Sequence, residues 1–161
     1  AEAPTAGALL AWSVGKSVAE VRAVRPNAEL YFWNDMFDPY HNAVDGYYYV
    51  EGDIAGSWEG LPPGAIIMNW NLGKLTESLT WFAGKDASGK QPHAFRQIIA
   101  GYYDTGDGAA TANDELTHAL GIPGVVGAMY TTWADDYGQL ASYANTVRSR
   151  WGEYRSSLAK D

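Results

Sequence analysis

The sequence predicts an α/β fold of four parallel β/α units. Short apolar, β-rich runs alternate with helical stripes, and no hairpin signal joins one run to the next. Each run also ends in an aromatic beside a polar residue, the pattern of strands that share one functional rim. Strands alternating with helices pair in parallel through right-handed crossovers, with helices covering the sheet.

The elements follow in order. Leu9, Leu10, Val14, Val18, Val21 and Val24 recur at helical spacing and predict a helix over 6–25, which Pro26-Asn27 stops. A first strand is expected near 28–33 (AELYFW), ending at Asn34-Asp35. Met36 to Pro63 reads as a long loop, rich in turn formers such as Asp38-Pro39, Asp45-Gly46, Glu51-Gly52, Asp53 and Gly56, around the run Tyr47-Tyr48-Tyr49-Val50. A second strand follows near 65–70 (AIIMNW), then a helix over 75–82 carried by Leu75, Leu79 and Phe82. The third strand is expected at 95–103, followed by a Gly/Ala/Thr-rich linker and a short helix, Asp114 to Leu120, closed by Gly121 and Pro123. The fourth strand spans 125–133, and an amphipathic helix over 137–158 ends the chain.

One domain, 1–161, is the natural reading of 161 residues. A net charge of −8 disfavours nucleic acid as a partner, and no apolar stretch approaches the roughly 18 residues of a membrane span. The absence of cysteine excludes disulfides, thiolate metal sites and a cysteine nucleophile, and leaves localisation open. The chain opens at Ala1-Glu2-Ala3-Pro4 without a Met, as a processed or excised piece would, and shows no signal-peptide pattern. Aromatic residues make up 14% of the chain and cluster at segment ends, which suits flat apolar surfaces for sugars, although a Trp- and Tyr-rich core explains the composition equally well.

The strand ends carry the chemistry. They read Trp33-Asn34-Asp35, Asn69-Trp70-Asn71, Tyr102-Tyr103-Asp104 and Trp133-Ala134-Asp135, and parallel α/β folds place such ends on one rim. Pyranose faces stack on aromatic rings, and carboxylates accept hydroxyl hydrogen bonds, so the rim favours a sugar.

The stretches FWNDMFDPYHNA, GSWEGLPPGAIIMNWN, RQIIAGYYD and GVVGAMYTTWADDY resemble the second half of the TIM barrel in hexosaminidase-like (family 20-like) glycoside hydrolases, and more closely uncharacterised bacterial proteins of that barrel type. The resemblance covers Pro26 to Tyr143. It implies that Trp33, Trp70 and Trp133 wall a pocket for one ring, that Tyr102 binds an acetamido group, and that Asp104 and Asp135 bind hydroxyls, with Asp35 facing the pocket. The hexosaminidase mechanism needs an adjacent Asp-Glu pair at a strand end. The only such dipeptide here is Asp114-Glu115, which a capped, acidic helix start explains. Asp135 also stands where the family has Glu.

Four strands make half of an eight-stranded (β/α)8 barrel. Its open edges call for association: a homodimer, a missing N-terminal half-barrel from another chain, or a rearranged open sheet.

The leading expectation is a glycosidase acting on a hexose or N-acetylhexosamine glycoside, with Asp35 and Asp104 as the catalytic pair and Glu59 and Asp135 in reserve. Trp33, Trp58, Trp70, Asn71, Tyr102, Trp133, Asp135 and His41 are the expected substrate contacts. Trp58-Glu59 reads in two ways: the Trp caps a sugar and the Glu acts as acid or base, or the Trp anchors its loop. Two alternatives belong to other classes: a non-catalytic carbohydrate-binding module, and a structural half-barrel inactive without its other half. Asp35, Asp38 and His41 lie close enough for a metal site, but Asp38-Pro39 is an ordinary turn starter, so no metal is expected. His93 and His118 have no nucleophile beside them in the pattern, and Gly101 with Gly106–Gly108 matches no phosphate-binding fingerprint, so no cofactor is expected. The basic residues of the last helix, from Arg148 to Lys160, suit a solvated face at a helix C-terminus.

Overall fold

A computed structural model describes residues 5–46, 52–85, 94–102, 104 and 106–160. The start Ala1 to Pro4, the run Tyr47 to Glu51, His93 and Tyr103 lie outside the described residues.

Four strands form one parallel sheet in the order β1-β2-β3-β4: β1 Tyr31–Trp33, β2 Ile66–Asn69, β3 Arg96–Gly101 and β4 Val125–Tyr130. Neighbours in sequence are neighbours in space, as in a β/α barrel segment. The helices are α1 Ala6–Val24, α2 Leu75–Phe82, α3 Gly108–Ala119 and α4 Leu140–Ser157. Each strand is shorter than its apolar run: β1 loses the start of its run and keeps Trp33 in the ladder, whereas β2, β3 and β4 stop before Trp70, Tyr102 and Thr131.

The α2, α3 and α4 side of the sheet holds the core. Ile99 packs with Leu75 and Leu79 of α2, Ala119 at the end of α3, and Tyr154 of α4. A second cluster joins Ile67, Trp58, Trp81, Phe82 and Phe95. The other face is partly bare at its margins: Tyr31, Trp33 and Val126 are exposed. The outer edges of β1 and β4 pair with no strand among the described residues.

Three local features stand out. As the turn formers of 36–63 predict, no α-helix is described between β1 and β2; a 3-10 turn, Ser57–Gly60, lies against α1. Their approach is close because Gly7 meets the Ala55 backbone and Gly60 meets Ala11, where a Cβ would collide. Helix α3 starts at Gly108, not Asp114. Asp107 caps it by accepting from the Ala109 and Ala110 amides, and the Ala-rich stretch read as a linker is helical. Asp114 and Glu115 therefore sit inside the helix, so capping does not account for them. Third, β4 carries a bulge: Gln97 pairs with Val125 but Ile98 pairs with Gly127. The extra residue, Val126, shifts the alternation so that Ala128 and Tyr130 face α4.

Candidate functional site

The ends of β1 and β2 build the site. The Asn34 amide, just past β1, donates to the Met68 carbonyl, and the Asn34 side-chain carbonyl accepts from the Trp70 amide at 3.0 Å. The chain then turns through Asp35–Phe37 into Asp38, which is fully buried and organises the next loop. Its backbone carbonyl accepts from the amides of His41 (2.9 Å) and Ala43 (3.0 Å), and Asp38 Oδ1 accepts from the Tyr40 amide at 2.8 Å.

Asp38 Oδ2 accepts from Asn34 Nδ2 at 2.7 Å, from the Ser78 hydroxyl of α2, and from Asn71 Nδ2 at 3.4 Å. The network continues beneath β2 and β3: Asn69 Nδ2 donates to Ser78 Oγ at 2.7 Å and to Gln97 Oε1 at 3.3 Å, and Gln97 Nε2 donates to the Leu79 carbonyl. Burial raises the Asp38 pKa above the ordinary carboxylate value, opposed by these four donors. A buried network satisfied in this way fixes the loop that carries His41 and the turn that carries Asn71.

On this base lies an open cleft of about 290 Å³, lined by His41, Trp70, Asn71, Leu72 and Gly73. The rings of His41 and Trp70 meet edge to face, with centroids 4.5 Å apart. Asn71 Nδ2 donates to the Tyr40 carbonyl at 3.0 Å as well as to Asp38. The volume is at the small end for ligand clefts.

The other expected residues fall elsewhere. Trp33 is exposed at the end of the edge strand β1. Asp35 is half-buried, and its carbonyl accepts from the Asn42 amide on the His41 loop at 3.0 Å. Trp58 is a core residue, 7% exposed and edge-on to Trp81 at 5.3 Å, so it anchors its turn and does not cap a ligand. Glu59 is exposed on the same turn and does not line the cleft.

Tyr102 is buried, not on the rim. Its backbone has φ 74°, and its ring stacks on Tyr130 with centroids 4.3 Å apart. The shared Tyr130 hydrogen bond, desolvation and nearby carboxylates push its hydroxyl up to about 12. Asp104 accepts from Thr132 and from the amides of Trp133 and Ala134, which lower its pKa. It is an anchored anion joining β3 to the β4 loop, and an anion so held is a poor proton donor. Trp133 is 77% exposed and Asp135 is exposed with φ 57°; neither lines the cleft.

A second buried carboxylate was not expected. Glu115 of α3 lies against Gly101, where a Cβ would come within 1.6 Å of Oε1, and Oε2 accepts from the Tyr143 hydroxyl of α4 at 2.8 Å. Burial pushes it up to about 7. The signal for these polar groups was present in the sequence. Gln97 and Asn69 interrupt otherwise apolar strands, and Ser78 stands on the apolar stripe of α2.

The fold and cleft define a parallel α/β protein with a small open cleft after β2, beside the loop that follows β1. Compared with protein-family models, curated proteins and solved structures, the chain matches none. Among the described residues no three His, Asp or Glu side chains gather as a metal site, and no helix is long and apolar enough to cross a membrane.

Proposed function

We propose that this chain is a carbohydrate-binding half of a (β/α)8 barrel, and that its cleft takes one pyranose ring. A single observation carries the reading: Trp70 and His41 form an aromatic corner, and Asn71, fixed by the buried network, supplies a polar group beside it. Flat rings and an oriented amide are what a pyranose face and its hydroxyls require.

Hydrolysis requires two carboxyls flanking the bond. Among the described residues no carboxylate lines the cleft, and Asp104 is held as an anion, so the reading for the chain alone is binding. Turnover, with Asp35 as the half-buried carboxyl at the start of the rim loop, belongs to a completed barrel. A homodimer or a separate N-terminal half would pair the open β1 and β4 edges and cover Tyr31, Trp33 and Val126.

The test is titration of methyl glycosides followed by tryptophan fluorescence, with light scattering and chromogenic glycosides on the same sample. Saturable quenching that Trp70→Ala abolishes is expected, without turnover by a monomer. Quenching that persists in Trp70→Ala would place the ligand elsewhere. Turnover by a monomer would overturn the binding-only reading.

A further inference from the structure

We propose that the cleft prefers a ring bearing a cationic hydrogen-bond donor to its neutral counterpart and disfavours an anionic one, because a buried, uncompensated carboxylate stands behind the amide that faces the ligand. The inference rests on the ring-binding reading above and specifies its substrate class.

The charge of Asp38 follows from its partners. The Asn34 and Asn71 side-chain amides, the Tyr40 backbone amide and the Ser78 hydroxyl all donate to it. The Ser78 proton is committed to Asp38, since Ser78 Oγ itself accepts from Asn69 at 2.7 Å. A proton on Asp38 would meet donors alone, so the site holds the anion.

No cation compensates it among the described residues. The ion pairs there are Lys74–Glu77, Arg96–Glu29, Arg150–Glu153 and His118–Asp114. Lys74, the residue after the cleft-lining Gly73, is turned to Glu77 at 3.2 Å. His41 is the titratable group in the cleft wall, and Asp35 adds a second carboxylate at the start of the same loop.

Asn71 transmits the charge. Both hydrogens of its Nδ2 are directed, one to the Tyr40 carbonyl and one to Asp38, which leaves Oδ1 as its side-chain atom for the ligand. A carboxylate behind the amide polarises it and makes Oδ1 a stronger acceptor. The face of Trp70 favours a cation by its quadrupole, and the chain's net charge of −8 acts in the same direction.

Three probes differing in one exocyclic group test this: methyl glucoside, its aminomethyl analogue and methyl glucuronide, titrated calorimetrically at neutral pH. The ammonium form is expected to bind about tenfold tighter than the hydroxyl form, as one unit charge about 8 Å away at intermediate dielectric implies, and the carboxylate to bind more weakly than either. Asp38→Asn should bring the three affinities together. If that variant fails to fold, the native protein still decides, because raising the pH through the amine's own titration should erase the preference. Equal affinities for all three would overturn the inference and leave the ring reading standing, as would tightest binding of the glucuronide. No binding by any probe would overturn both.

Discussion

Replacing Glu115 by Gln tests the inner layer of the fold most directly. The carboxyl titrates near 4.5 when solvated and is pushed up to about 7 by burial between β3, α3 and α4. Tyr143, the Tyr102 amide and the carboxylate of Asp114 are the groups that act on it. Folding therefore favours the protonated acid. Its contribution to stability is complete below about pH 4.5 and is lost as the pH rises through about 7. At about 1.4 kcal/mol for each tenfold difference the whole effect is ~3 kcal/mol, of which ~2.5 kcal/mol falls between about pH 5 and pH 8. With a urea dependence of roughly 2 kcal/mol/M, the native protein's midpoint should drop by about 1 M across that interval. Glu115→Gln keeps an acceptor for the Tyr143 hydroxyl but cannot ionise, so its midpoint should fall by about 1 M less. Asp38, whose pKa is also raised, is present in both proteins and cancels in the comparison. Urea unfolding followed by far-ultraviolet circular dichroism gives both curves, and parallel curves would refute the argument.

Gly101→Ala should destabilise by roughly 1–3 kcal/mol, because the new methyl would displace the Glu115 carboxylate. In a double-mutant cycle with Glu115→Ala part of that loss should be recovered, and strict additivity would show that the two do not share the space. Trp58→Ala should lower stability by about 3–5 kcal/mol as a core truncation. Trp70→Ala should cost less than half as much in denaturant unfolding while removing ligand-dependent quenching. Gly7→Ala would place a methyl 2.0 Å from the Ala55 carbonyl oxygen, so α1 should lift from its turn and tryptic cleavage at Lys16 or Arg22 should accelerate.

The order of strands and helices was legible because burial imposes periodicity. Alternating apolar runs marked all four strands, and α1 runs from Ala6 to Val24 as its spacing and Pro26 predict. What escaped was set by side-chain partners far apart in sequence. Asp107 turns an apparent Gly/Ala/Thr linker into the start of α3, and only its position before Gly108 marks it as a cap. Trp58 reads the same whether it faces solvent or Trp81, since neither spacing nor composition records which ring it meets. The rim was only half visible. His41, Trp70 and Asn71 come together, whereas Tyr102 turns inward because its positive φ and the β4 bulge align it with Tyr130. Asp38 reads as a turn residue, and its partners on α2 and after β2 lie 40 and 33 residues away.

The bulge at Val126 lets β4 carry one surplus residue while both of its flanks stay in phase with β3. Val126 is 47% exposed, so many residues would serve there. Deleting that one position would let Gly127 follow Val125 directly opposite Ile98, so the ladder would become regular and Tyr130 would stay on its present face beside Tyr102. A second residue inserted within the regular run after Gly127 has no such slack, and would turn Tyr130 to the open face unless a new bulge absorbed it.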